Sequence, residues 1–149
     1  MNYRETMSRL NAALKNIDLV YAIIAKRHRL TFNALMMFYL IDESENITQK
    51  QICDELYLPK STVHSILLEF MKRGYVDLVE GRNKKEKFIE VTETGKQFFA
   101  KILAETQKVE KNVLDALGKE TCTFLTDTAE IVGDLLTKEI AKINDGEVI

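Results

Sequence analysis

Proline is nearly absent from this sequence. One proline and six glycines in 149 residues leave little to interrupt long helices. Cysteine is scarce as well: Cys53 and Cys122 form no CxxC pair, which argues against a disulfide scaffold and a structural zinc site. His28 and His64 lack the HxxH or HxxxH spacing of a metal site, so neither a metal nor a cofactor is expected. Cys53 and His64 have no third orienting group or glycine-rich oxyanion site, and no other constellation points to an enzyme. No run of 18 apolar residues occurs, so no membrane span is expected. The opening Met1-Asn2-Tyr3-Arg4-Glu5 has no apolar stretch, which makes a signal peptide unexpected and a cytoplasmic location the default. Positive charge is not in excess either: 21 basic residues face 23 acidic ones, for a net charge of −2. What is present is ordinary for one globular domain, with 46% hydrophobic and 30% charged residues.

The charge is unevenly placed. Residues 1–30 are net +4, 31–47 net −3, 48–96 net +1 and 97–149 net −4. Within the third block, residues 81–87 alone are net +3, from Arg82, Lys84, Lys85 and Lys87 against Glu86. By itself such a run reads as a solvated loop; its neighbours give it meaning.

Met7, Leu10, Leu14, Ile17, Tyr21 and Ile24 recur at alternating intervals of 3 and 4, the seam of a coiled coil or one face of a packed helix. That helix, of about 22 residues, closes on Lys26-Arg27-His28-Arg29, cations that its dipole favours. A second helix is expected behind Thr31 as N-cap, with Phe32, Leu35, Met36, Tyr39 and Leu40 on its apolar face. After the polar loop Asp42–Asn46, Thr48 and Gln51 have capping-box spacing. They open a short helix that buries Ile52 and Leu56. Tyr57-Leu58-Pro59 then forms a three-residue turn, with Pro59 suited to a first helical position. The next helix points Val63, Ile66, Leu67 and Phe70 inward and stops at Gly74. The period then becomes alternating: Val76–Glu80 and Phe88–Val91 are strands of a hairpin around the basic run. Thr92 caps a long helix that carries Phe98, Phe99, Ile102, Val109, Val113 and Leu117. Gly118 punctuates, and a last helix carries Leu125, Ala129, Val132, Leu136, Ile140 and Ile143.

Short helix, three-residue turn, second helix and hairpin with a basic tip together spell a winged helix-turn-helix. The fold class expected is mainly α with a small β-hairpin, plus long N- and C-terminal dimerisation helices. Lys60, Ser61, Thr62, His64 and Ser65 lie opposite Val63, Ile66 and Leu67, where they can reach base edges in a major groove. The N–H groups near Thr48 and Gln49 suit a phosphate. Arg82, Lys84 and Lys85 can reach backbone phosphates or a minor groove.

In this order the elements resemble the multiple-antibiotic-resistance regulator (MarR) family of bacterial transcription factors. The resemblance rests on Leu30-Thr31 at the second helix, Ser61-Thr62-Val63 through Lys72-Arg73-Gly74-Tyr75-Val76, and Val91-Thr92-Glu93-Thr94-Gly95. It implies a homodimer built from the first and last helices on a pseudo-palindromic operator in double-stranded DNA. It also implies control by a small lipophilic or phenolic effector, or by oxidation in some members. Tyr21, Phe32, Met36 and Tyr39 are the candidate effector residues, although the aromatic and methionine stripe also reads as ordinary core. Three departures stand out. The wing triplet is Asn83-Lys84-Lys85 where the family has Asp-Arg-Arg, and the recognition helix has no Arg, Asn or Gln to read bases. Base readout there falls to Lys60, hydroxyls, His64 and DNA shape. The third is Tyr57, where helix-turn-helix turns often hold glycine. A left-handed backbone would cost tyrosine ~1–2 kcal/mol, so a different turn geometry is expected.

The expected organisation is one domain over 1–149: dimerisation helices at 1–29 and 119–145, a winged helix-turn-helix at 31–96, and a connecting helix at 97–117. The expected function is a DNA-binding transcriptional regulator, a repressor. The alternative is a winged-helix module that binds protein. Cys53 and Cys122 are expected to be inert small residues, because the family's peroxide-sensing position near the start of the first helix holds no cysteine here.

Overall fold

A computed structural model describes residues 1–81 and 87–144. Its elements run α1 (Tyr3–Arg27), α2 (Phe32–Glu43), β1 (Ile47–Thr48), α3 (Gln49–Leu56), α4 (Lys60–Lys72), β2 (Val76–Glu80), β3 (Lys87–Val91), α5 (Glu93–Leu117) and α6 (Lys119–Asn144). They fall into two units, residues 1–106 and 107–149. The mainly helical winged fold expected from the sequence is the one observed.

In the first unit, α1 begins where the Asn2 side chain accepts the Glu5 N–H at 3.2 Å. It ends in two backbone bonds, Arg29 N–H to Lys26 O (3.1 Å) and Leu30 N–H to Ala25 O (2.9 Å), with Arg29 left-handed at φ 59°. The cations of the last turn do more than meet the dipole. The Arg27 guanidinium and His28 Nε2 (2.7 Å) both donate to the Glu105 carboxylate of α5. Along the heptad seam only Ile24 is buried; Leu10 and Tyr21 are half-buried, and Met7, Leu14 and Ile17 are exposed.

The apolar face expected for α2 is rotated in the structure. Thr31 is the N-cap as expected, its hydroxyl accepting the Ala34 N–H at 3.1 Å. The buried residues are Ala34, Leu35, Met37, Phe38 and Ile41, whereas Phe32, Met36, Tyr39 and Leu40 are only half-buried. The segment Phe32–Ile41 is apolar nearly all round, so periodicity alone does not select its inner face. The sheet is also larger than a hairpin. Ile47 pairs with Ile89 and Thr48 with Phe88, giving a three-stranded antiparallel sheet in the order β1-β3-β2. A two-residue strand has no alternation to reveal it.

The core gathers around Phe38. Its ring centroid lies 4.2 Å from Phe99, 5.3 Å from Phe70, 6.4 Å from Tyr75 and 6.5 Å from Phe98. Tyr75 and Phe98 stack at 4.3 Å. Where α4 stops, Gly74 is left-handed (φ 71°) and its N–H donates to Met71 O at 2.9 Å. Tyr75 N–H donates to Phe70 O at 2.8 Å, which completes the paired bonds of a glycine helix terminus. That exit is clamped to the start of α5. Thr92 N–H donates to Tyr75 O (3.0 Å), the Thr92 hydroxyl donates to Gly74 O (2.5 Å), and the Gly95 N–H donates back to Thr92 Oγ1 (3.0 Å). Gly95 is required there: a Cβ would lie 2.1 Å from Tyr75 O. Both ends of the β2–β3 hairpin are thereby fixed to the helical core.

The second unit comprises the C-terminal part of α5 and α6, joined at Gly118 with φ 79°. None of its described residues is buried. Val113, Leu114, Leu125, Leu136, Ile140 and Ile143 are all about half exposed. Cys122 is half-buried there, and Cys53 packs at the edge of the first unit's core.

The Glu105 pairing carries a pH dependence. The His28 hydrogen bond, followed by that of Arg27, holds the Glu105 carboxyl below its ordinary value, against a smaller opposing effect of burial. A carboxyl depressed in the folded state contributes stability that is present above its unfolded pKa and is lost as pH falls through the folded one. Glu105→Gln should therefore lower stability at neutral pH and flatten the loss on acidification, measured by urea unfolding across the carboxylate range. An acid limb identical to that of wild type would contradict the assignment.

Candidate nucleic-acid interface

The site is built on α3, the turn after it, and α4. Thr48 starts α3 with the capping box read in the sequence: Gln51 N–H donates to Thr48 Oγ1 (3.3 Å), and Thr48 N–H donates to Gln51 Oε1 (2.9 Å). The Thr48 hydroxyl also donates to Gln51 Oε1 at 2.9 Å. This hydroxyl is committed to the cap, so what α3 offers an anion is the backbone of its first turn. Gln49 Nε2 lies 3.5 Å from Lys60 O, which sets the start of α3 beside the start of α4.

The turn differs from expectation at two residues. Tyr57 is left-handed, at φ 50° and ψ 39°, so the turn keeps the geometry that favours glycine although glycine is absent. Its N–H and that of Leu58 close back onto Cys53 O, which fixes that geometry through the end of α3. Pro59 is the N-cap of α4 (φ −58°, ψ 143°) rather than its first helical residue. Its carbonyl accepts from Thr62 N–H (2.9 Å) and Val63 N–H (3.1 Å). An extended ψ at Pro59 ends the turn one residue later than the sequence suggests.

Along α4 one face is sealed and the other open. Val63, Leu67 and Phe70 are buried; Thr62 and Ile66 are half-buried; Lys60, Ser61, His64 and Ser65 are exposed. The Ser65 hydroxyl donates to Ser61 O at 2.9 Å, leaving its oxygen as an acceptor. Leu68, 52% exposed, continues the same outward row at i+4 from His64. The sequence reading missed Leu68 because it sought only polar readers, although the i+4 spacing marks it.

The remaining sequence candidates separate into two groups. Arg82, Lys84 and Lys85 lie outside the described residues. The last described rung below them pairs Glu80 with Lys87, whose side chains meet at 3.6 Å. Tyr21, Met36 and Tyr39 pack against the common core, with the Tyr39 ring 5.1 Å from Phe99 and edge-on to it. Phe32 is half-buried in the first turn of α2. Among the described residues no cluster of three His, Cys, Asp or Glu side chains can hold a metal ion, and no helix is long and apolar enough to cross a membrane.

Residues 29–85 match the sequence model of the MarR family. No curated protein matches the chain. Its fold is that of solved MarR-family structures. A MarR family regulator from Neisseria meningitidis superposes with a TM-score of 0.77 at 23% identity, covering 95% of this chain and 99% of the other. A structure described as a MarR family transcriptional regulator from Listeria monocytogenes, complexed with 26mer DNA, gives 0.74 at 20% identity, covering 96% of each chain. Staphylococcus aureus MarR, in complex with salicylate and kanamycin, gives 0.77 at 14% identity, covering 91% of this chain and 93% of the other.

Proposed function

We propose that this chain, with its MarR-family segment at residues 29–85 and its MarR-like fold, is a transcriptional regulator that binds double-stranded DNA. It acts as a homodimer and as a repressor on a pseudo-palindromic operator. The observation that carries the reading is the outward row of α4: Lys60, Ser61, His64 and Ser65 stand exposed on a helix whose opposite face is buried. Such a helix enters a major groove, with lysine, hydroxyls and imidazole at base edges. Thr48 and Gln49 place the start of α3 at a backbone phosphate, Thr62 flanks the readers, and Arg82, Lys84 and Lys85 of the wing hold the adjoining phosphates. The DNA complex of the Listeria relative supports this choice of partner.

Homodimerisation is supported by the apolar side chains left in water. Met7, Leu14 and Ile17 on α1 and Leu125, Leu136, Ile140 and Ile143 on α6 are exposed, far more than a soluble monomer normally leaves open on two helices. In this reading residues 1–29 and 119–145 are dimerisation helices, 31–96 the DNA-binding region and 97–117 the connection. A small lipophilic or phenolic effector at Tyr21, Phe32, Met36 and Tyr39 loosens DNA binding, in line with the salicylate held by the Staphylococcus relative. Adding salicylate to a DNA titration tests that part, and an unchanged affinity would count against it. The exposed Leu68 and Met71 favour a second reading, a protein-binding winged helix; failure to select any DNA sequence would favour it.

Selection from random DNA across a salt series tests the main reading. Replacing Lys84 and Lys85 with Ala should weaken binding to every sequence and lower the salt slope by roughly 1 per lost phosphate contact. Lys60→Ala or Thr62→Ala should instead change the preferred sequence. A salt slope unmoved by the wing changes would overturn the placement of the wing. Leu136→Lys should convert a dimer into a monomer in sedimentation, and a wild type that is itself monomeric at micromolar concentration would contradict the dimer.

A further inference from the structure

The turn between α3 and α4 holds an exposed tyrosine in a backbone conformation that favours glycine. Tyr57 sits in the left-handed backbone region (φ 50°, ψ 39°) with 93% of its surface in water. Its one regular contribution, a backbone N–H donated to Cys53 O, would be made equally by glycine without strain. Of the five described residues at positive φ, two are glycines (Gly74 and Gly118), one is Asn46 and one is Arg29; Tyr57 alone is aromatic. A bulky apolar ring held in strained backbone and in water is a local cost without a local return, the pattern of residues kept for binding. Its position says binding to what. Only Leu58, half-buried, and Pro59, with φ at −58°, separate it from Lys60, the first residue of the row proposed to enter the groove. The phenol is uncharged and offers an O–H donor with an aromatic face. At the rim of a major groove that chemistry meets phosphodiester oxygens and deoxyribose rather than base edges.

We propose that Tyr57 is a DNA-backbone contact: its O–H donates to a phosphate oxygen beside the groove occupied by α4, and its ring packs on the adjoining sugar. This rests on the DNA-binding reading above and adds to it a residue outside the polar row and the wing. Because tyrosine is neutral, the contact raises affinity for every sequence without releasing a counterion, unlike each lysine contact.

The test uses the full chain and a random-sequence duplex of about 25 base pairs, long enough for two half-sites one turn apart. Binding is followed by fluorescence anisotropy over about 50–200 mM salt. Tyr57→Phe removes only the hydroxyl, and Tyr57→Gly removes the ring and relieves the backbone. Tyr57→Phe should weaken binding about tenfold at every salt concentration, the size of one hydrogen bond to a charged group, and Tyr57→Gly, which also loses the ring, by more than that. The slope against log salt should stay at the wild-type value. The melting temperature of the free protein should be unchanged in Tyr57→Phe and no lower in Tyr57→Gly. Wild-type affinity in Tyr57→Phe would overturn the contact while leaving the DNA-binding reading intact, as would a loss in Tyr57→Gly that comes with a lower melting temperature. Wild-type protein that binds no duplex would instead overturn the DNA-binding reading itself.

Discussion

The structure depends on one phenyl ring. Phe38 of α2 touches Phe70 at the end of α4, Tyr75 at the approach to β2, and Phe98 and Phe99 of α5, so a single side chain joins four stretches of chain. Full burial of such a ring is worth ~1.5–3 kcal/mol, and each well-oriented aromatic neighbour adds ~0.5–1.5 kcal/mol. Set against the ~5–15 kcal/mol by which domains are stable, that is a large share for one residue. It also has direction. The ring holds the inner face of α4 against the core, and so decides which face of α4 meets water.

The second constraint follows from the first. With Phe70 seated on Phe38, α4 must stop and turn, and Gly74 supplies the left-handed residue that allows it. Thr92 then ties that exit to the start of α5, so the hairpin leaves and returns at one fixed place. Gly95 permits the close approach, since any Cβ would strike Tyr75 O. Helix α4 and the β2–β3 hairpin are thus set by one aromatic cluster and one threonine clamp, which is how a small unit presents two surfaces in a fixed relation.

Much of this was legible in the sequence because the relevant signals are local. The caps at Thr31 and Thr48, the glycine stop at Gly74, and the outward placement of Lys60, Ser61, His64 and Ser65 each follow from a few neighbouring residues. What was not legible depends on distant partners. Phe38 is not marked as the central ring because Phe32–Ile41 of α2 is apolar nearly all round, so only packing selects its inner face. Strand β1 escaped because two residues carry no period. The Arg27–His28–Glu105 cluster escaped because a charge pattern shows cations at a helix end without showing a carboxylate on another helix. The left-handed backbone at Tyr57 is not legible because residue preference points to glycine there, whereas the flanking helices impose the conformation.

The outward face of α4, locked in place by Phe38, is the surface proposed to meet DNA. Amide hydrogen exchange of the full chain, with and without duplex DNA, tests it most directly. The account predicts slowed exchange centred on residues 49–65, from the start of α3 through Ser65. Protection confined to Leu68, Met71 and Leu78, with residues 49–65 unchanged, would contradict it.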